Sequence, residues 1–213
     1  LPAKYITSFD GFSRIDQNNQ LTIPVSGFKT IPVGPVRAKY AFSALEGDYD
    51  LNGDYLQING TTPYISATNS AGTTIRSANN FFNSSISYIN TTTNTPELFT
   101  ARTPKSRNTL GFDAGILNIP NPATPAFAGG SVIKNNDTSA NIKLGSDIDI
   151  YYFYFNAFAV EIIEPKIVLT KIVKNSSGVD IGNQNVTRGD ILNYEIGLQN
   201  KGNDDATSLT IRD

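Results

Sequence analysis

The sequence predicts an all-β fold, in which a β-sandwich or jelly-roll-like domain is followed by a second, incomplete β-sandwich. Short runs of alternating apolar residues recur along the chain and are separated by Gly, Pro, Asn and Ser, as in strands joined by turns. No stretch carries the i, i+3, i+4, i+7 apolar spacing of an amphipathic helix. The 213 residues are enough for one large β-domain or two smaller ones.

Several segments show the strand pattern directly. Residues 36–46, VRAKYAFSALE, alternate between apolar and polar faces and predict a half-buried strand. Residues 150–163, IYYFYFNAFAVEII, are apolar on both faces, which predicts a central strand covered on both sides. Two more strands are predicted over 110–120 and 138–144. The polar stretch 61–106 predicts weak strands joined by long loops.

A domain boundary is predicted at Glu164–Pro165. Pro165 cannot donate a hydrogen bond to a sheet, and a new strand pattern, IVLTKIVK, begins shortly after it. We therefore assign residues 1–164 to an N-terminal domain and residues 165–213 to a second one.

Composition argues against several functions. The chain has 17 basic and 19 acidic residues, so it lacks the basic surplus that binds nucleic acid or an anionic membrane surface. No apolar run approaches the ~18 residues that would insert into a bilayer. The chain has no His and no Cys, so the usual general base, the thiol nucleophile and the main zinc ligands are missing. We therefore expect no enzymatic activity.

The segment GDYDLNGDYLQING holds the first candidate site. Asp48, Asp50, Asn52 and Asp54 recur at every second position, as in D-x-D-x-N-G calcium loops. An EF-hand is excluded because the twelfth position is not Glu and both flanks predict strands. A Ca²⁺ loop of another type is one interpretation of these four residues.

The alternative interpretation of this segment is a hairpin without a metal. Asn52–Gly53 is the favoured pair for a two-residue type I′ turn. In that hairpin the carboxylates would not converge on one ion, and the turn signal favours it over the metal site. Its register would oppose Leu51 to Asp54, Tyr49 to Leu56, and Gly47 to Ile58.

The C-terminal segment, from IVLTKIVK to the final IRD, resembles the DUF11 repeat, an Ig-like β-sandwich of bacterial surface proteins. The resemblance implies a partial Ig-like β-sandwich of three or four strands, cut before the later strands of the repeat. We expect either that the natural chain continues or that self-association supplies the missing strands. The residues that carry the resemblance are Gly189, Asp190, Tyr194, Ile196, Asn200, Gly202, Ala206, Leu209, Ile211 and Asp213.

The N-terminal domain is similar to the domain that precedes such repeats in gliding-associated, adhesin-like surface proteins of Bacteroidota. The phrases that carry this similarity are GPVRAKYAFSALEGDY, LGFDAGILNIPN and YFNAFAVEIIEP. The resemblance implies secretion by the type IX route and a place on the bacterial cell surface.

These resemblances imply a non-catalytic adhesin segment that presents its β-domain on a stalk of Ig-like repeats. The expected partner is an extracellular ligand or surface, either glycan or protein, bound by loops within 61–107 and 121–137. One alternative is a filament or surface-lattice subunit completed by a neighbour's strand. A carbohydrate-active enzyme is the third possibility.

Two further sets of residues could carry chemistry. Lys171 lies on an apolar strand face, and Asn200 could join it in an isopeptide bond, as in some Ig-like surface domains. The acid that assists this bond is missing, since Glu195 falls on the polar face, so a snorkelling Lys is favoured. Asp147 and Asp149 share a strand face and could bind calcium or act as a hydrolase acid pair, although solvated residues at a strand start are the simpler interpretation.

Overall fold

The computed structural model describes residues 3–121 and 131–210, which form strands, turns and loops without a helix. This confirms the all-β fold class. No helix capable of crossing a membrane is present among the described residues. The strands are β1 (Lys4–Ile15), β2 (Leu21–Ser26), β3 (Ala38–Leu45), β4 (Asp54–Ile58), β5 (Ala67–Thr68), β6 (Thr74–Arg76), β7 (Ser87–Asn90), β8 (Thr95–Leu98), β9 (Phe112–Asn118), β10 (Ser139–Ser146), β11 (Tyr151–Glu161), β12 (Ile167–Lys174) and β13 (Asn193–Asn200).

The chain divides into two compact units, Leu1–Ile162 and Ile163–Asp213. The division falls beside the boundary expected at Glu164–Pro165. Each unit contains its own sheets, because no strand of the first unit pairs with β12 or β13 among the described residues. The first unit carries nearly all of the buried core, and the second is a small ribbon.

Two sheets form the body of the first unit. The larger sheet has the order β1-β11-β3-β9, the smaller has the order β2-β10-β4, and all of these pairs are antiparallel. Strands that are neighbours in the chain take corresponding places in the two sheets: β1 with β2, β11 with β10, and β3 with β4. This is the winding of a jelly roll, so the predicted sandwich class is correct.

The core lies between the inner faces of these two sheets. Alternate residues of β3 and of β10 are buried, which is the period-two pattern of strands with one covered face. The core residues on these two strands are Ala38, Tyr40, Phe42, Ala44, Ala140, Ile142 and Leu144.

A bulge in β11 explains why its sequence is apolar on both faces. The strand is central, as predicted, and pairs with β1 on one side and β3 on the other. Its register with β3 shifts between Phe153 and Phe155. Tyr151 and Phe153 are buried before the shift, and Phe158 and Val160 are buried after it. The bulge changes the buried residues of the strand from odd-numbered to even-numbered positions. Only one face of the strand is therefore covered, and the expectation that both faces are covered is wrong.

The polar stretch 61–106 begins beside β4 of the smaller sheet and continues to β9 of the larger sheet, where Ile86 forms a bridge with Ala114. Ile65 donates its backbone N–H to the carbonyl of Leu56 in β4 at 2.8 Å. Two short ribbons, β5-β6 and β7-β8, follow. The prediction of weak strands and loops is therefore correct, but the stretch also enters the core, where Phe81 and Phe82 have no exposed surface.

The second unit is built on the two-stranded sheet β12-β13. Leu169 is paired with Leu198, and Val173 with Tyr194. We expected three or four strands, and the described residues of this unit form two. A two-stranded ribbon has no second layer to cover its apolar face. Leu169, Tyr194 and Leu198 are accordingly 62%, 58% and 46% exposed.

Candidate functional site

The segment that joins β3 to β4 does not form the predicted hairpin. β4 pairs with β10, with Asp54 opposite Ser146 and Leu56 opposite Leu144. Residues 47–53 form no strand, so they provide no first arm for a hairpin. The predicted hairpin register is therefore wrong.

This segment is instead a loop held to its neighbours by the backbone of Gly53. The Gly53 N–H donates to the carbonyl of Asn79 at 2.7 Å, and its own carbonyl accepts from the N–H of Asp147 at 2.9 Å. Gly53 has a φ of 129°, a conformation that side-chain-bearing residues rarely adopt. The Asn-Gly pair is therefore needed because glycine tolerates this backbone conformation, but the conformation belongs to a loop that binds two other chain segments and not to a hairpin turn.

The structure does not gather the four predicted calcium ligands around one point. Asp48, Asp50 and Asn52 are exposed, whereas Asp54 at the start of β4 is fully buried. One oxygen of Asp54, Oδ1, accepts a hydrogen bond from the backbone N–H of Phe82 at 2.6 Å. Among the described residues, no three acidic side chains are grouped so as to hold a metal.

The second acidic pair is also divided by the fold. Asp147 is exposed, as solvated residues should be. Asp149 is 1% exposed, and its Oδ1 accepts a hydrogen bond from the N–H of Ile150 at 2.6 Å. The solvated interpretation is therefore wrong for Asp149, and the two carboxylates do not present a shared acid pair to a substrate.

A buried ion pair between Arg76 and Asp113 is the main polar feature that sequence reasoning missed. The guanidinium Nη1 lies 2.6 Å from the Asp113 carboxylate, and neither side chain has exposed surface. The same guanidinium lies over the ring of Phe42, 4.8 Å from its centroid. Its other hydrogen bonds go to the carbonyls of Phe81 (2.7 Å), Ser85 (2.7 Å) and Ala114 (3.0 Å), and to the side chains of Ser87 (3.2 Å) and Asn83 (3.3 Å).

The carboxylate of Asp113 completes this network from β9. Its Oδ2 accepts from the N–H of Ser84 at 2.5 Å, and its Oδ1 accepts from the N–H of Ser85 at 3.3 Å. The pair therefore fixes an irregular segment against the sheet by satisfying buried backbone groups. Phe81–Phe82, an apolar pair within an otherwise polar stretch, signals that this segment enters the core, but nothing in the sequence signals the ion pair itself.

Burial dominates the electrostatics of the acidic residues near this network. Burial, opposed by the hydrogen bond from the Phe82 N–H and aided by the charges of Asp149 and Asp113, raises the pKa of Asp54 to about 7. Burial likewise raises the pKa of Asp149 to about 6, with a contribution from the charge of Asp48. The pKa of Asp113 also lies above its ordinary value, because burial outweighs the opposing charge of Arg76.

The structure does not bring Lys171 and Asn200 together. Lys171 is opposite Ile196, and Asn200 is opposite Ile167. Four residues of strand therefore separate them, roughly 13 Å at ~3.3 Å per residue. The Lys171 ammonium lies 4.7 Å from the centroid of the Tyr194 ring, and Asn200 Oδ1 accepts from a backbone N–H of Lys166 at 3.0 Å. This geometry does not support the isopeptide bond, which was the less favoured of the two interpretations of Lys171.

A groove lined by charged, amide and apolar side chains crosses one end of the larger sheet, at β1, β11, β3 and β9. Its charged residues are Lys4, Arg37, Lys39 and Glu161, and its amides include Asn118. It touches both predicted ligand-binding regions, through Asn94 of the 61–107 region and Asn121 at the start of the 121–137 region. Residues 122–130 of that second region lie outside the described residues.

The groove contains one acid among the described residues that line it. This acid, Glu161, lies 3.9 Å from the ammonium of Lys4 and 3.7 Å from the guanidinium of Arg37. The amides of Asn118 and Asn121 donate to protein carbonyls, so the cations of the groove are the groups that can hydrogen-bond an anionic ligand. Comparisons with protein families, with curated proteins and with solved structures found no match for this chain.

Proposed function

We propose that this chain is a non-catalytic segment of a secreted bacterial cell-surface protein of the adhesin type. In this proposal the jelly-roll unit is the displayed domain, and the second unit is the first part of a stalk of Ig-like repeats. The ligand is an extracellular glycan or protein. The division of the chain into a large closed unit and a small open one supports this arrangement.

The observation that carries the proposal is the uncovered apolar face of the β12-β13 ribbon. Leu169 and Leu198 form a cross-strand pair on this face, beside Ile196, and all three are at least 43% exposed. An isolated two-stranded ribbon is at best marginally stable in water, and further strands stabilise it by covering its apolar side. A ribbon that needs more strands suits a module within a larger sandwich.

The groove at the end of the larger sheet supports a binding role for the first unit. Lys39 and Asn118 are opposite each other on β3 and β9, and both line the groove. The amide of Asn118 donates to the carbonyl of Asn94 at 2.7 Å, so the Lys39 ammonium is the donor offered to the hydroxyl or carboxylate groups of a glycan. The absence of His and Cys from the sequence supports a non-catalytic role.

Retention of the labelled chain on arrays of glycans and extracellular-matrix proteins tests this function. We expect a ligand whose binding falls at least tenfold in the double variant Lys39→Ala, Asn118→Ala. Lys143→Ala is the matched control, because Lys143 is a half-buried strand lysine on β10 in the other sheet. No retention of the chain, or equal loss in the control, would contradict the proposal.

The same apolar ribbon favours a second candidate function, a filament or lattice subunit. In that case a strand from a neighbouring molecule covers Leu169 and Leu198. Light scattering across a concentration series distinguishes the two functions. Assembly that is abolished by Leu169→Ser and Leu198→Ser supports the filament, and a monomer at every concentration contradicts it.

A further inference from the structure

Three buried side-chain oxygens lie on β4, on β10 and in the connection that follows β10, and none has a hydrogen-bond partner among the described residues. They are Oδ2 of Asp54, Oγ of Ser146 and Oδ2 of Asp149. The three residues are 0%, 1% and 1% exposed. Such groups lose their water on folding and normally gain a partner in return, so these three oxygens are free to accept a bound species.

The pairing of β4 with β10 brings two of these oxygens to the same side of the smaller sheet. Asp54 and Ser146 are directly opposite residues of an antiparallel pair, and opposite residues share a face with their Cβ atoms about 5 Å apart. Asp149 follows three residues after Ser146, in the connection to β11.

The two carboxylates have no compensating charge from the protein. One oxygen of Asp54 accepts a hydrogen bond from the backbone N–H of Phe82, and one oxygen of Asp149 accepts a hydrogen bond from the backbone N–H of Ile150. No ion pair joins either carboxylate to a basic side chain within the described residues. Arg76, the buried cation of this region, is fully used by Asp113 and other acceptors.

We propose that Asp54 Oδ2, Asp149 Oδ2 and Ser146 Oγ bind a calcium ion. Two carboxylates match the charge of the ion, and all three ligands are the hard oxygens that calcium prefers, with backbone carbonyls and water completing its six to eight ligands. The proposed ion therefore lies at the buried end of β4, and not in the exposed loop of Asp50 and Asn52 where the sequence motif would place it.

The electrostatics place the three acids of this region in one neighbourhood. The charge of Asp149 acts on Asp54, and the charge of the exposed Asp48 acts on Asp149. The acidic residues thus extend from the surface toward the buried pair. Asp48 supplies an attractive potential at the surface for an entering cation, while the ligands lie further inside.

A calcium titration of the whole chain tests the site at pH 8, which lies above the pKa of about 7 of Asp54 and of about 6 of Asp149, so protons compete least with the metal. The protein is stripped with chelator and dialysed, and calcium is then added in a calorimeter and in thermal melts. We expect one bound ion per chain and a rise of several degrees in the melting temperature. Absence of both heat and melting shift overturns the proposal, and an equal shift with sodium or magnesium salts reveals charge screening and also overturns it.

Charge-neutral variants locate the ion. Asp54→Asn and Asp149→Asn should each weaken calcium binding at least tenfold, and Ser146→Ala several-fold. Asp50→Asn is the matched control, since it removes the same charge from an exposed position and should leave the calcium-induced shift unchanged. The quantity compared is the rise in melting temperature that calcium causes in each variant, so a variant that is less stable without calcium remains informative.

The variants also separate this site from the exposed loop. Loss of the increment in Asp50→Asn, together with retention in Asp149→Asn, would place the ion in the loop and overturn the proposal. Ser146→Ala keeps both carboxylates and is the variant to use if either Asn substitution fails to fold. An unchanged calcium affinity in Ser146→Ala would contradict the assigned hydroxyl ligand.

Discussion

Arg76 and Asp113 form an ion pair at 2.6 Å in which neither side chain has any exposed surface. Arg76 ends β6, and Asp113 lies in β9, so the pair ties the irregular segment after β4 to the edge of the larger sheet. Removing one partner of a buried pair leaves the other charged and desolvated, which costs far more than the pair contributes as a whole.

Arg76→Ala should therefore lower the free energy of unfolding by about 3–5 kcal/mol. Urea denaturation followed by circular dichroism measures the loss. Arg37→Ala is the matched control, because Arg37 pairs with Glu161 at 3.7 Å while 73% of its side chain is exposed, and it should cost under about 1 kcal/mol. An Arg76→Ala loss as small as that of the control would contradict the assignment.

The double variant Arg76→Met, Asp113→Leu should be more stable than Arg76→Ala. It replaces both charges with apolar groups, so no unpaired charge is left in the core. Urea denaturation of both variants in the same buffer makes the comparison. A double variant less stable than Arg76→Ala would mean that the hydrogen bonds to Ser84 and Ser85, and not the unpaired charge, dominate the energetics.

Most of the fold could be predicted because alternation of apolar residues encodes it directly. β3 buries every second residue, and β10 does so from Ala140 to Leu144, and this pattern is visible in the printed sequence. The bulge in β11 could not be predicted, because a shift of one residue between Phe153 and Phe155 looks the same in sequence as a strand with two apolar faces.

The candidate site was only partly predictable, because it depends on which strands pair. The local Asn-Gly signal favours a hairpin, but the pairing of β4 with β10 buries Asp54 opposite Ser146, a residue 92 positions away. Asp50 and Asn52, its neighbours in the motif, remain at the surface. The long-range partners Arg76 and Asp113 carry no local motif at all.

The buried carboxyl of Asp54 should make stability depend on pH in calcium-free buffer. Its pKa rises from 3.8 to about 7 on folding, mainly through burial. Asp149 and Asp113 face it with like charge, and the Tyr151 hydroxyl is also close enough to interact. Between pH 4 and 7 the folded chain therefore holds a proton that the unfolded chain has lost. The stability from this group is complete below about pH 4 and is lost as the pH rises through 7.

Urea denaturation from pH 4 to pH 8 in chelator checks this dependence. Asp54→Asn cannot ionise, so its stability should fall less steeply with pH than that of the unmodified chain. At pH 8 the variant should be the more stable of the two, because it buries no charge at this position. Identical pH profiles for the two proteins would show that Asp54 ionises alike in the folded and unfolded states.

Phe82 should be one of the most costly core positions to truncate. Its ring has no exposed surface, stacks on Tyr151 at 4.4 Å and meets Phe42 edge-on at 5.4 Å. Phe82→Ala should lower the free energy of unfolding by about 3–5 kcal/mol. Phe12→Ala is the control, because Phe12 is 67% exposed and should cost under about 1 kcal/mol. Similar losses for the two variants, measured in urea, would place Phe82 outside the core.

Gly47, at the start of the segment that joins β3 to β4, should not tolerate a side chain. A Cβ at this position would overlap Oδ2 of Asp113 and the backbone carbonyl of Phe82. Neither group can move freely, because Asp113 is paired with Arg76 and the Phe82 N–H is bound by Asp54. Gly47→Ala should therefore cost about 1–3 kcal/mol, the usual penalty for overpacking.

Gly11→Ala provides the matched control for this substitution. Gly11 lies in β1 at the register shift between Asp10 and Ser13, and a Cβ there would meet no heavy atom within 4 Å. We expect its free energy of unfolding to stay within about 0.5 kcal/mol of the unmodified chain, as at other open surface positions. Equal free energies of unfolding for Gly47→Ala and Gly11→Ala would contradict this prediction. They would mean that the segment joining β3 to β4 does not pack against Asp113.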